Sequence, residues 1–186
     1  RHLAGDSSLT EQVGEQAVAQ WRKRPKKWLT ELHQGVAARH AQYGEVAFLL
    51  EPDLKEGRGG LRDVHALHWA ELVHPLLHGG DDAVLTRAYD TLLDVRVALH
   101  RHTGRAGDRL NLQDQDGVAA LLEESGGDAD ALMKRVAAAA RTIAWVSDET
   151  WDRVESSLAG PRSRTAGRDR HLADGVVLRD GEVHVL

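Results

Sequence analysis

The residues that could do chemistry gather in one stretch, "LLEPDLKEGRGGLRDVHALHW", at positions 49–69. Glu51 and Asp53 lie two apart, Lys55, Arg58 and Arg62 interleave with Gly57, Gly59 and Gly60, and Asp63 opens an apolar periodic run. Glycines let a backbone take positive φ and approach a ligand closely. A helix opening at Asp63 would add free N–H groups and the positive end of its dipole, an arrangement suited to phosphate. The three cations have the matching sign. Two carboxylates two apart on an extended run point to one side and could hold a basic group or a metal-bound water. The same residues also build a plain structural loop, with Arg62 tied to Glu51 or Asp53, glycines for the turn and Asp63 as N-cap. The stretch lacks the Lys-Ser/Thr ending of a P-loop and the spacing of a dinucleotide fingerprint. Residue chemistry alone leaves both readings open.

The other constellations favour plainer readings. His65 and His68 are three apart and His74 and His78 four apart, spacings that share a helix face. Neither pair has the nearby Glu or third ligand of a zinc helix, so no metal site is expected from the 11 histidines. No His-Asp dipeptide of the metal-dependent phosphohydrolases occurs. The pairs Asp114/Asp116 and Asp128/Asp130 have the spacing that holds magnesium in nucleotidyl transfer, but they fall at helix starts and read as caps. Arg96 lies among apolar positions and calls for a carboxylate partner, with Asp63 or Glu51 as candidates. The basic cluster at 22–27 reads as a solvated helix junction broken by Pro25.

Stripes of apolar residues at helical spacing define the elements that must position these groups. They are Leu9, Val13, Ala17 and Trp21, capped by Ser7 or Ser8 with Glu11 as capping-box partner; Leu29, Leu32, Val36 and Ala37; and a helix from Asp63 to Gly79-Gly80, with Pro75 kinking or ending it. A fourth helix spans about 82–102 with Leu85, Ala88, Leu92, Val95 and Leu99 on one face. A short helix at about 115–124, ended by Gly126-Gly127, precedes a long one capped by Asp128, with Leu132, Val136, Ala140, Ile143, Ser147, Trp151, Val154 and Leu158 on one side. Residues 160–170 turn into a basic flexible linker. The tail at 172–186 has two β-prone runs around Asp180-Gly181, a hairpin signal. The expected fold is mainly α: a helical bundle over 1–159, a linker over 160–171 and a small C-terminal β-hairpin appendage over 172–186 that bridges to a further domain. Both ends read as cut from a longer chain.

Bulk properties narrow the class. The 186 residues carry a formal charge of −5, which argues against a nucleic-acid coat protein. There is no cysteine, so disulfides and thiolate metal sites are excluded; a reducing, cytoplasmic setting is expected. No apolar run approaches the ~20 residues of a membrane helix, so no membrane partner is expected.

The ordered string from Glu51 to Asp63, with Leu61 and Trp69, resembles the signature that follows the nucleotidyltransferase domain in the PII-protein uridylyltransferase/uridylyl-removing enzyme family. "LLDVRVALHRHTGRAGDRLNLQDQDGVAALL" and the terminal "HLADGVVLRDGEVHVL" resemble later blocks, so the likeness covers nearly the whole chain. It implies a helical region between a nucleotidyltransferase domain and a His-Asp phosphohydrolase domain, followed by two small-molecule-sensing domains. The family uses Mg2+ and UTP to modify a tyrosine of the PII nitrogen-signalling protein, and removes the group when glutamine is high. The resemblance implies that catalytic carboxylates and metal ligands lie outside this chain, which alone would be inactive. It would close one side of the transferase cleft. Matching positions are Glu51, Pro52, Lys55, Gly59, Gly60, Leu61, Arg62 and Asp63. The expected nucleotide- or PII-contact residues are Glu51, Asp53, Lys55, Gly59, Gly60, Arg62 and Asp63, with Lys55 and Arg62 foremost. Arg58 stands where the family often has proline, which implies a less rigid loop. Composition suggests a high-GC source, where some relatives attach AMP from ATP, so a PII adenylyltransferase and a purely structural docking module stand as alternatives. The string argues against a glutamine-synthetase adenylyltransferase relative.

Overall fold

In the computed structural model the described residues are 4–73, 81–122, 128–159, 170–173, 176–179 and 182–185, with side chains described as far as 158. The chain divides into two compact units, Arg1–Thr150 and Trp151–Leu186. The expected Pro75 kink, the glycine stops at 79–80 and 126–127, the His74/His78 pair, the Asp180-Gly181 turn and the 160–169 linker lie outside the described residues.

The first unit is helical: α1 Ser7–Lys23, α2 Pro25–Tyr43, α3 Leu61–Glu71, α4 Asp81–Thr103, α5 Leu112–Ala120 and the first part of α6 Ala129–Ala159. Asp6, not Ser7 or Ser8, caps α1, its carboxylate accepting from the Ser8 N–H at 2.9 Å. The α1 stripe forms a helix but buries nothing, and Leu9 and Val13 stay exposed. The helix breaks at Arg24, and Pro25 starts α2 at its first turn, where a missing N–H costs nothing. Trp21 lies 6.0 Å from Trp28 and 5.9 Å edge-on from Trp69, joining α1, α2 and α3.

The core sits on the stripes of α4 and α6. Leu85, Ala88, Leu92, Val95 and Leu99 are all buried, as are Leu132, Val136, Ala140 and Ile143. Leu29 and Val36 of α2 and Val64 and Leu67 of α3 are buried as well. Asp128 accepts from the Asp130 N–H at 3.0 Å, the expected cap of α6. Helix α5 spans Leu112–Ala120, beginning earlier than expected, and buries Gln115, Val118 and Ala119.

In the second unit, β1 Arg170–Ala173, β2 Val176–Arg179 and β3 Glu182–Val185 form an antiparallel sheet in the order β1-β2-β3. This replaces the two-stranded hairpin expected over 172–186. The extra strand begins at Arg170, inside the stretch read as linker, and a lone hairpin is marginal without such a third strand.

Candidate functional site

The 44–63 stretch is a bonded platform. After α2 ends, Gly44 turns the chain at φ 71°. The Val46 N–H then donates to Arg58 O at 3.0 Å and the Arg58 N–H to Gly44 O at 2.8 Å. On the other side Leu54 N–H donates to Asp108 O and Leu110 N–H to Pro52 O, each at 2.9 Å. Val46 and Leu54 plug the platform into the core. The stretch is thereby fastened to the end of α2 and to the link between α4 and α5.

The glycines make room for the protein itself. Gly59 has φ 79°, and a Cβ there would fall 2.3 Å from the Ala140 carbonyl oxygen of α6. Gly60 is the N-cap of α3, displacing Asp63 from the role expected of it. A Cβ on Gly60 would meet the Gly57 carbonyl oxygen at 2.7 Å.

The amides at the start of α3 are consumed internally. Gly59 N–H donates to Asp63 Oδ2 at 2.7 Å, Gly60 N–H to Gly57 O at 2.9 Å, and Leu61 and Arg62 N–H to Leu54 O and Lys55 O at 3.1 Å. Asp63 N–H turns back to Gly60 O at 3.1 Å. The anion cradle read from the glycines and helix start therefore has no free backbone donor, which corrects that reading.

Asp63 is fully buried in the first turn of α3. Its Oδ1 takes a charge-assisted bond from Arg39 and lies 2.9 Å from His40 Nε2. Arg39 also donates from Nε to Glu56 O at 3.1 Å. Asp63 thus ties α2 to α3 while closing its own loop. Sequence reasoning missed Arg39 and His40. The signal was two adjacent basic residues near the end of α2, a place where such residues ordinarily serve the helix end.

Glu51 and Asp53 diverge instead of facing one target. Glu51 Oε1 accepts from the first N–H of α5, Leu112, at 3.0 Å, and Oε2 from Arg109 at 3.3 Å. Asp53 Oδ1 takes the Lys55 and Glu56 N–H groups at 3.0 and 2.7 Å. Pro52 separates them, and each carboxylate serves the nearest unpaired amides.

The cations are paired, though with other partners than expected. Arg62 Nε sits 2.8 Å from Glu56, not from Glu51 or Asp53, and its side chain stays 51% exposed. Lys55 Nζ lies 3.2 Å from Asp108, which also accepts from Arg96 Nε at 2.6 Å. Arg96 therefore pairs with Asp108, not Asp63 or Glu51. Burial pushes the Asp108 carboxyl upward, but bonds from Arg96 and Lys55 outweigh it and hold the group below the usual carboxylate range. Arg58 joins Asp148 at 2.5 Å and Glu45 at 2.8 Å. With its N–H also bonded, Arg58 fastens the loop that a proline would otherwise stiffen.

Between the platform and the α4–α5 link opens a polar cleft of about 740 Å3, walled in part by Asp53, Glu56, His102, Arg105, Asp108 and Asp114. Asp53 and Glu56 line it, while Lys55 and Arg62 do not. His65 lies 3.2 Å from Tyr89 Oη, and burial, then His68, Arg62 and Lys55, push its pKa down. Among the described residues no three His, Asp or Glu side chains gather as metal ligands.

The sequence model of the GlnD PII-uridylyltransferase family matches residues 27–84 and 74–151, the span holding the platform, the Asp63 lock and the cleft. The chain belongs to this family. A bifunctional uridylyltransferase/uridylyl-removing enzyme of Streptomyces coelicolor is 45% identical across 98% of this chain, which covers 23% of that relative. One of Mycobacterium tuberculosis is 37% identical across 98% of this chain and 24% of the relative. This GlnD-family chain thus spans about a quarter of the length of these curated relatives. No solved structure matches it.

Proposed function

We propose that this chain is the helical module of an enzyme that attaches UMP to a PII regulatory protein and removes it again. The observation that carries the reading is the platform: the string that marks the family is held rigid by its own amides, and Arg62 keeps half its side chain in solvent. A fixed, half-exposed guanidinium on a family signature suits recognition of a phosphate or carboxylate on a partner. Lys55 is the weaker candidate, being only 33% exposed and held by Asp108. Glu51, Asp53, Gly59, Gly60 and Asp63 act by building the surface rather than by touching the nucleotide.

Magnesium and UTP belong, on this reading, to residues outside the chain. Glu51 and Asp53 do not fit a magnesium site, since their oxygens serve backbone amides and Arg109. The module lies between a nucleotidyltransferase domain and a hydrolytic domain of one cytoplasmic polypeptide.

The full-length enzyme tests this by transfer of UMP from UTP to PII, read by mass spectrometry. Arg62→Ala should cut kcat/KM for PII or UTP by roughly ten- to a hundredfold, the worth of one charge-assisted bond. Lys55→Ala should do less. Wild-type values in both variants would overturn the contact role, and a protein that never labels PII would overturn the function.

A further inference from the structure

Glu56 is fastened by its backbone, which leaves its side chain a separate task. Its N–H donates to Asp53 Oδ1 at 2.7 Å, and its carbonyl oxygen accepts from Arg39 Nε at 3.1 Å. Arg39, itself largely buried, is anchored on the fully buried Asp63. The Glu56 backbone is thereby fixed to the lock between α2 and α3. The carboxylate, 18% exposed, has Arg62 as its partner among the described residues, with Nε at 2.8 Å. Keeping a carboxylate largely out of water costs free energy unless a paired charge offsets it, and the ion pair with Arg62 supplies that offset. Contact through Nε leaves both Nη groups of the half-exposed Arg62 without another partner among the described residues.

We propose that Glu56 is a positioning residue: its carboxylate holds the Arg62 guanidinium through Nε, so that both Nη groups meet an oxyanion as a preset fork. The inference rests on the reading of Arg62 as a contact residue and deepens it. A long side chain gives up rotamer freedom when it binds, and a guanidinium fixed beforehand gives up less. The contacts run from Asp63 through Arg39 and Glu56 to Arg62, from a fully buried carboxylate to a half-exposed cation. The packed interior therefore sets where that cation stands. Charge alone argues the other way, because a carboxylate beside Arg62 cancels part of its field and weakens its pull on an anion. Positioning and neutralisation thus predict opposite signs when Glu56 is removed. The fastening of the Glu56 backbone at both its N–H and its carbonyl favours positioning, since it fixes the point from which the carboxylate reaches Arg62. A fork of this kind pairs with a phosphate or a carboxylate through parallel N–H bonds.

Steady-state UMP transfer by the full-length enzyme tests this, with kcat/KM taken for UTP at saturating PII and for PII at saturating UTP. Glu56→Ala should lower one of the two by roughly three- to tenfold, the same one that Arg62→Ala lowers. The substrate affected identifies the oxyanion as a phosphate of UTP or a carboxylate of PII. Glu56→Gln keeps an acceptor oxygen for Nε and should lose less. In an Arg62→Ala background Glu56→Ala should add nothing, because no guanidinium is left to hold. Circular dichroism should stay helical throughout; if Glu56→Ala fails to fold, Glu56→Gln carries the same comparison. Wild-type or raised kcat/KM in both Glu56 variants, with Arg62→Ala impaired, overturns the positioning role and leaves the contact reading standing. A Glu56→Ala loss that persists undiminished without Arg62 does the same. Wild-type values in Arg62→Ala remove the contact reading, and this inference with it.

Discussion

Gly59→Ala should destabilise the chain far more than its size suggests. The residue sits at φ 79°, and the new Cβ would fall 2.3 Å from the Ala140 carbonyl oxygen and 3.0 Å from its carbon. The left-handed conformation costs an L residue about 1–2 kcal/mol. The clash is with backbone, so it is relieved only by shifting the loop or α6, at about 1–3 kcal/mol for an overpacked site. The sum is about 2–5 kcal/mol out of a total of roughly 5–15. Gly104→Ala isolates the first contribution, since Gly104 has φ 65° and nothing within 4 Å of its built Cβ. Gly35→Ala gives the opposite sign, being inside α2 with open space around it; it should stabilise by about 0.5–1 kcal/mol. Thermal unfolding followed at 222 nm reads all three, with about 2–4 °C expected per kcal/mol for a chain of this size. A midpoint for Gly59→Ala equal to that of Gly104→Ala would show that α6 does not press on the loop, and the close-approach reasoning would fall.

Other outcomes follow from the buried and paired charges. Asp63→Ala should cost about 3–5 kcal/mol, because it strands the largely buried Arg39 and frees the Gly59 N–H; a loss under 1 kcal/mol in urea unfolding would refute the lock. The Asp108 carboxyl is held below its ordinary value, so it contributes stability that is present above about pH 4 and lost as pH falls through the lower folded value. Asp108→Asn should therefore flatten the acid limb of stability against pH, and an unchanged limb would remove Arg96 and Lys55 as its cause. Gln115→Ala leaves the Leu50 carbonyl without its donor and should cost about 1–3 kcal/mol, checked by the same unfolding.

How much was legible can be followed through particular residues. The stripes of α4 and α6 were readable because helical periodicity is local, and burial followed the stripe. The α1 stripe was equally periodic, yet Leu9 and Val13 are exposed, since period reports a helix and not a neighbour to cover it. The Arg96 need for a carboxylate was visible, but its partner, Asp108, lies across a link of irregular backbone whose path no periodicity describes. Asp63 read as a cap because it stands where a helix opens. Its actual role as counterion to Arg39 and His40 required α2 to lie alongside, which depends on packing 23 and 24 residues away in sequence.

The sequence by itself determined the helical stripes, the break at Pro25, the cap at Asp128 and, through the ordered string Glu51 to Asp63, the family. These are either local in chain distance or carried by residue order alone. Tertiary structure decided what the string is for inside this chain. It set Gly59 against Ala140, spent the α3 amides on the loop, turned Glu51 toward α5 and left Arg62, Phe48 and Leu50 facing outward. Such choices depend on which polar group finds which partner when distant segments pack, and on the cost of leaving any of them unpaired.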